Sequence, residues 1–352
     1  MGAKKKKSNR VLRIVLFVAA AALIAASYAG YRYYGFIIKS NTQAVTGSFT
    51  DIFIPRNADF DKVMRELNEK EVLVNEESFR WVAEQKEYPD FIKPGKYRIE
   101  SGWSNNKLVN HLKGGNQIPV RVTLDNVKTL DALAGKAAKQ IEPDSAQLIE
   151  YLSSPEVISH YGFQLTTFIS MFIPNTYEMY WSITAEEFTS RMAKEFKSFW
   201  SDERKAKARA LGLSQSEVAT LASIVQEETR KSDEMPKVAR LYLNRLKRGM
   251  KLQADPTVKF AVGDPSLRRI YFKHLEKQSP YNTYIHKGLP PGPIALPQKQ
   301  ALDAVLNAPQ HDYIFMCAKP DYSGYHNFSK TLAQHNRYRR EYINFLRREG
   351  VR

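Results

Sequence analysis

A single cysteine, Cys317, stands in 352 residues, so no intrachain disulfide and no cysteine-based metal site can form. It lies in the apolar run YIFMCAK, which reads as a buried strand with a packed, structural thiol. Also missing are a G-x-S-x-G elbow, an H-E-x-x-H helix and a Walker A loop. Their absence removes the common serine-hydrolase, zinc-peptidase and nucleotide-binding signatures. His311, His326 and His335, with Asp321 near them, are too scattered for a ligand set and read as satisfied surface histidines. No metal and no cofactor is expected. No zinc-finger, RNP-like or basic-zipper pattern occurs, so the formal charge of +16 does not argue for nucleic acid as a partner. An anionic lipid surface or an acidic polymer fits it better.

What is present starts at the N-terminus. Lys4, Lys5, Lys6, Lys7, Arg10 and Arg13 form a basic block, and no residue from 14 to 31 is charged. Eighteen residues at helical rise span about 27 Å, enough for a bilayer core. Tyr31, Tyr33 and Tyr34 follow, with Arg32 among them; such tyrosines favour the membrane–water interface. The expectation is a basic cytoplasmic segment over 1–13 and a transmembrane helix over 14–34, with the rest outside the cytoplasm by the positive-inside rule. A cleaved signal peptide is the rival, with Ser27-Tyr28-Ala29 as a weak site; the uncharged run is long for that. A buried core helix is disfavoured by the lysine flank. The run lacks the G-x-x-x-G pairing pattern.

Residues 35–48 are mixed and polar and read as a linker. Over 49–124 the pattern predicts a small α+β module. FTDIFIP alternates like a strand, and Phe60, Val63, Met64 and Leu67 recur at helical spacing. A second helix carries Phe79, Trp81 and Val82. KPGKYRI turns into a strand near 97–99, Ser104 caps a helix closed by Gly114-Gly115, and IPVRVTL is another strand. Residues 125–352 are expected to form a mixed α+β domain, mainly helical to about 200. FIPNTYEMYW interrupts those helices with a turn whose aromatics, with Asn175 and Tyr177, could stack on sugar rings or simply pack.

The segment 213–231 is the best-defined helix. Ser214 and Glu217 form the pattern S-x-x-E, and Leu213 and Val218 are placed for a hydrophobic staple. It ends in QEETRK, with two adjacent glutamates. Glu227 is four residues before Lys231, a favourable surface pair. Glu228 continues the inward stripe of Leu221, Ile224 and Val225 and has no such partner. A carboxyl group among apolar side chains holds its proton near neutral pH, as a general acid must; the plain alternative is a helix-end carboxylate with ordinary hydrogen bonds. Three later loops are polar and aromatic. LQADPTV holds Gln253, Asp255 and Thr257, with a proline that opens a helix. SPYNTYIHKGLPPGPIALP holds Ser279, Tyr281, Asn282, Thr283 and Tyr284. HNFSKTLAQHN, with Ser329, ends a strand and opens a helix. Together these suggest a cleft, although turn residues look much the same.

At ASIVQEET, ARLYLNRLKRGMKLQADPTVKFAVG, SPYNTYIHKGLPPGPIALP and FSKTLAQHN the chain resembles the YceG-like family, the endolytic murein transglycosylases often called MltG. The resemblance covers nearly everything after the apolar run. It implies an N-terminal anchor in the bacterial cytoplasmic membrane, a LysM-like module over 49–124 and a catalytic domain over 125–352. It also implies peptidoglycan glycan strands as substrate, with cell-wall synthases as candidate partners. The family motif, roughly A-S-I-[IV]-E-x-E, places its catalytic acid at Glu228. The motif's earlier glutamate is Gln226 here, and Asn175 replaces the aspartate of a Phe-Pro-Asp-Thr-Tyr run. By this resemblance Glu228 protonates the oxygen between N-acetylmuramic acid and N-acetylglucosamine, then takes the proton of the muramyl 6-hydroxyl as it closes a 1,6-anhydro ring. Gln253, Asn282 and Tyr284 are expected to orient sugars. Two other functions compete: a non-enzymatic peptidoglycan-binding scaffold at the membrane, and a muramidase using water with Asp255 as base.

Overall fold

The computed structural model describes residues 3–264 and 266–350, and side chains from residue 10 onward. The lysine block of residues 4–7 is thus outside the described side chains, as are Met1, Gly2, Pro265, Val351 and Arg352 altogether. The chain is mixed α+β and divides into two units, one of residues 1–120 with 178–182, the other of 121–177 with 183–352. The division at 120 lies near the expected module end at 124, and residues 178–182 go with the first unit.

The first unit runs α1 (Ala3–Tyr33), a π-helical turn (Tyr34–Ile38), β1 (Phe49–Ile54), α2 (Phe60–Glu69), α3 (Glu76–Gln85), β2 (Gly95–Glu100) and α4 (Asn105–Gly114). Among the described residues one stretch, Arg10–Ile38, is long and apolar enough to cross a membrane, and none of its most apolar window is covered by protein. Strands β1 and β2 are antiparallel, from Phe49 opposite Glu100 to Ile54 opposite Gly95. Their inward residues Ile52, Ile54, Tyr97 and Ile99 meet Val63, Met64 and Leu67 of α2, Phe79 of α3 and Leu108 of α4 in one core. Each such buried side chain contributes about 2 kcal/mol. Asp59, Asn75 and Ser104 accept from the backbone N–H three residues on and so begin α2, α3 and α4.

The first half of the expected linker is tied to the module. Asn41 and Thr42 are buried, and the Asn41 amide donates to Asn105 Oδ1 at 2.6 Å and to the Asn75 carbonyl at 2.8 Å. The Asn105 amide donates in turn to the Phe36 carbonyl and to Ser78 Oγ. The π-turn that ends the apolar segment is thereby tied to the helices of the unit. Asn105→Ala should lower the unfolding free energy by about 2 kcal/mol, since it strands polar groups in a closed site. Chemical denaturation of the full chain measures this; a loss under about 0.5 kcal/mol would mean water replaces the amide.

The second unit contains α5 (Leu130–Ala138), α6 (Ser145–Leu152), α7 (Pro155–His160), α8 (Leu165–Phe168), α9 (Ala185–Phe199), α10 (Asp202–Ala210), α11 (Gln215–Glu228), α12 (Met235–Lys247), α13 (Asp255–Val262), α14 (Phe272–Leu275), α15 (Lys299–Leu306) and α16 (Leu332–Arg348). Among strands, β3 (Pro119–Leu124) pairs with β4 (Asn175–Tyr180), and β5 (Phe315–Ala318) with β6 (His326–Ser329). Cys317 lies on β5 as expected but is only half-buried, and burial pushes its thiol up.

Two expectations change here. FIPNTYEMYW is no aromatic loop: residues 175–180 are β4, Phe172 and Tyr177 are buried, and the Tyr177 hydroxyl donates to the Ile173 carbonyl. And α11 is not one-faced. All eight residues from Val218 to Val225 are buried, as in a helix enclosed on every side. Its small and hydroxylated residues follow from that crowding: Thr220 and Ser223 return their hydroxyls to the carbonyls of Ser216 and Thr220.

Candidate active site

The capping box expected at the start of α11 is formed. Ser214 Oγ accepts from the Glu217 N–H, and Glu217 Oε2 accepts from the Ser214 N–H. The far end is set by tertiary contacts. Thr229 is extended, at φ −139° and ψ 138°, and its hydroxyl donates to Glu234 Oε2 at 3.2 Å. The helix stops at Glu228, three residues before Lys231. The predicted Glu227–Lys231 pair is therefore absent. Glu227 instead meets Lys128 at 3.1 Å, and the Lys231 ammonium lies over the Tyr325 ring.

Glu228 emerges from the core onto a cleft of about 960 Å³. Its walls are Lys128 and Thr129 before α5, Glu227, residues 255, 256, 259 and 260 of α13, residues 263, 264 and 267–270, and Ile294. Burial raises the pKa of the Glu228 carboxyl. The nearby His326 charge opposes the rise, Asp255 adds to it, and the Tyr242 hydroxyl, donating to Oε2 at 3.2 Å, and Arg245 oppose it. Desolvation wins, so this carboxyl retains its proton to higher pH than an ordinary glutamate. Tyr242 is buried, and its own pKa is pushed well up by that burial and by the Glu228 charge. It acts as a fixed donor. Tyr242→Phe should remove a bond to the carboxylate form and move the high-pH fall of activity upward; a pH–rate profile of the two proteins measures it.

The other expected site residues divide sharply. Asp255 lines the cleft and accepts from the Tyr284 hydroxyl at 2.6 Å. Burial and this bond hold the Tyr284 phenol protonated. Gln253 is exposed, in a left-handed conformation at φ 51°, with Oε1 at 3.4 Å from the Arg245 guanidinium. Ser279 Oγ accepts from the Tyr281 N–H, and Tyr281 packs on Phe260 with ring centroids 4.7 Å apart. Asn282, Thr283 and Thr257 are not cleft residues. All three are buried. The Asn282 amide donates to the carbonyls of Leu275 and Lys277, and its oxygen accepts from the Tyr284 N–H. The Thr257 and Thr283 hydroxyls bond each other at 2.8 Å. They shape the loop that carries Tyr284. Ser329 is buried, and its hydroxyl finds no partner among the described residues. Asn175, at the exposed start of β4, and the buried Tyr177 do not line the cleft.

Gln226 also gains a role. Its Oε1 accepts from the Gln298 N–H at 2.6 Å, while Ser223 Oγ accepts from the Ile294 N–H at 3.0 Å. Two side chains of α11 thus hold the proline-rich segment 290–298, and an amide oxygen at 226 serves that bond without a carboxylate. His326 is no surface histidine. Its Nδ1 lies 2.8 Å from Glu234 Oε2, and both side chains are largely covered. No group of three or more His, Cys, Asp and Glu suited to a metal occurs among the described residues.

At the end of the buried helix α11, then, a carboxyl whose pKa is raised by burial opens on a cleft in a mixed α+β unit. The profile of the YceG-like family matches residues 52–341, and the chain belongs to that family. It is similar to an endolytic murein transglycosylase of Bacillus subtilis (strain 168), 27% identical over 309 residues, covering 83% of this chain and 84% of the relative. It is also similar to one of Streptococcus pneumoniae (serotype 2, strain D39), at 24% over 370 residues, 95% of this chain and 65% of the relative. In fold it resembles the crystal structure of a YceG-like protein from Listeria monocytogenes, with TM-score 0.54 and 24% identity, over 83% of this chain and 99% of the other.

Proposed function

We propose that this protein is a membrane-anchored endolytic murein transglycosylase with Glu228 as its acid and base. The observation that carries the reading is the raised pKa of the Glu228 carboxyl where it opens on the cleft, in a family whose similar members bear that name. Protonated Glu228 donates to the oxygen between N-acetylmuramic acid and N-acetylglucosamine. The resulting carboxylate accepts the proton of the muramyl 6-hydroxyl as that oxygen bonds to C1. The chain is cut with a 1,6-anhydro end and no water is consumed. The apolar helix anchors the protein with its basic N-terminus in the cytoplasm. The β-α-α-β order of β1, α2, α3 and β2 supports a LysM-like, glycan-binding module, and cell-wall synthases are candidate partners.

A water-using muramidase is the second reading, because Asp255 lines the same cleft and two carboxyl groups can share hydrolysis. Digestion of glycan strands by the full chain in detergent, with products weighed by mass spectrometry, separates the two. Anhydro-muramyl ends support the transglycosylase. Reducing muramyl ends show the hydrolase. Binding without cleavage leaves the scaffold.

A further inference from the structure

We propose that Glu234 and His326 form a positioning pair for Glu228, gripping the residue that follows the acid and holding a fixed cation behind it. This rests on Glu228 being the acid. Glu234 is buried and uses both oxygens: Oε2 accepts from the Thr229 hydroxyl at 3.2 Å and lies 2.8 Å from His326 Nδ1, and Oε1 accepts from the His326 N–H at 2.7 Å. Thr229 immediately follows Glu228, and its Oγ1 also accepts from the Lys231 N–H. The end of α11 is thus joined to β6 through one carboxylate, and a buried carboxylate with three such contacts has little freedom to move.

The pair's charge state follows from the same contacts. Burial works against the His326 imidazolium, but the bond to Glu234, its charge and that of Glu228 outweigh it and raise His326 above its ordinary value. Burial likewise works against the Glu234 carboxylate, yet the two His326 bonds, the imidazolium charge and Thr229 together hold it low. Other charged or titratable groups around the connection are Lys231, and Asp233, whose carboxylate accepts from the Tyr325 hydroxyl; Lys319 lies over the Tyr325 ring and Lys237 over Phe328 of β6. Tyr242 and Arg245 face Glu228 from α12, and Asp255 does so from α13. Among these, the His326 charge is the strongest opponent of the burial that raises Glu228. An acid that must give up a proton and then take another works best with a pKa near the operating pH. The His326 charge limits how far burial raises Glu228.

The test titrates Glu228 directly. The protonated carboxyl stretch of the full chain in detergent is followed by infrared difference spectroscopy and assigned by its loss in Glu228→Gln. In both His326→Gln and Glu234→Gln the midpoint is expected to move upward by about one pH unit. The high-pH fall of kcat/KM for glycan cleavage should move with it, while KM stays unchanged. A midpoint unchanged or lowered in both variants overturns the proposal, whatever happens to their stability. A raised midpoint in a protein that cleaves no glycan supports the pair and overturns the transglycosylase reading.

Discussion

Glu228→Gln is expected to lower the rate of glycan cleavage about 10³-fold or more, with folding intact. General acid and general base contributions each run to about 10²–10⁴-fold, and the proposed cycle places both on this one carboxyl. The amide can still accept from Tyr242, so the packing at the end of α11 survives. The stability change has the opposite sense. Burial raises the folded-state pKa of Glu228 above its unfolded value, so its favourable contribution is complete below the unfolded pKa and is lost as pH rises through the folded one. A neutral glutamine has no such loss. The variant should therefore be at least as stable as the natural protein at pH 8, and denaturation at pH 5 and pH 8 measures this. If cleavage persists at the natural rate, the acid is elsewhere. Asp255 is then the first candidate, because Glu227 is committed to Lys128.

Gly292→Ala should be the most damaging small change outside the acid. A Cβ at residue 292 would stand 1.9 Å from the Thr166 carbonyl oxygen and 2.7 Å from its carbon. Both belong to backbone, so no flexible side chain can yield. Either α8 or the 290–298 segment must move, at a cost of about 3 kcal/mol, which lowers Tm by about 6–12 °C for a unit of this size. Function falls with it. Ile294 is two residues away, forms part of the cleft wall and is pinned by Ser223. A thermal scan and a cleavage assay on the variant test both effects, and an unchanged Tm would show that the two segments are not in close contact.

Much of the scaffold could be read locally. The S-x-x-E box at Ser214, the capping residue Ser104, the stripe of Val63, Met64 and Leu67, and the alternation of FTDIFIP act within one or two turns of chain, and all appear as expected. The motif resemblance singled out Glu228, which lies on the cleft, and the burial behind its raised pKa was legible from the apolar run before it. The polar loop residues were less legible. Asn282, Thr283 and Thr257 have the chemistry of sugar-binding side chains, yet each is turned inward to satisfy backbone or neighbouring hydroxyls. A turn asks for the same residue types as a binding loop. Tyr242 and Glu234 carried no signal, since an aromatic on a helix stripe and an acid before a helix are ordinary.

The sequence by itself determined where the capped helices begin, the apolar faces of the first module, the long uncharged segment and the family. These depend on neighbours a few residues apart, whose geometry the backbone period dictates. The tertiary structure alone decided what each polar group meets. Glu227 turned to Lys128, 99 positions away, in place of Lys231; Glu234 reached His326 across 92 positions; Gln226 and Ser223 took up amides 72 and 71 positions on. A polar atom removed from water must take whatever partner the packed core brings to it, and that partner is set by packing, not by distance along the chain.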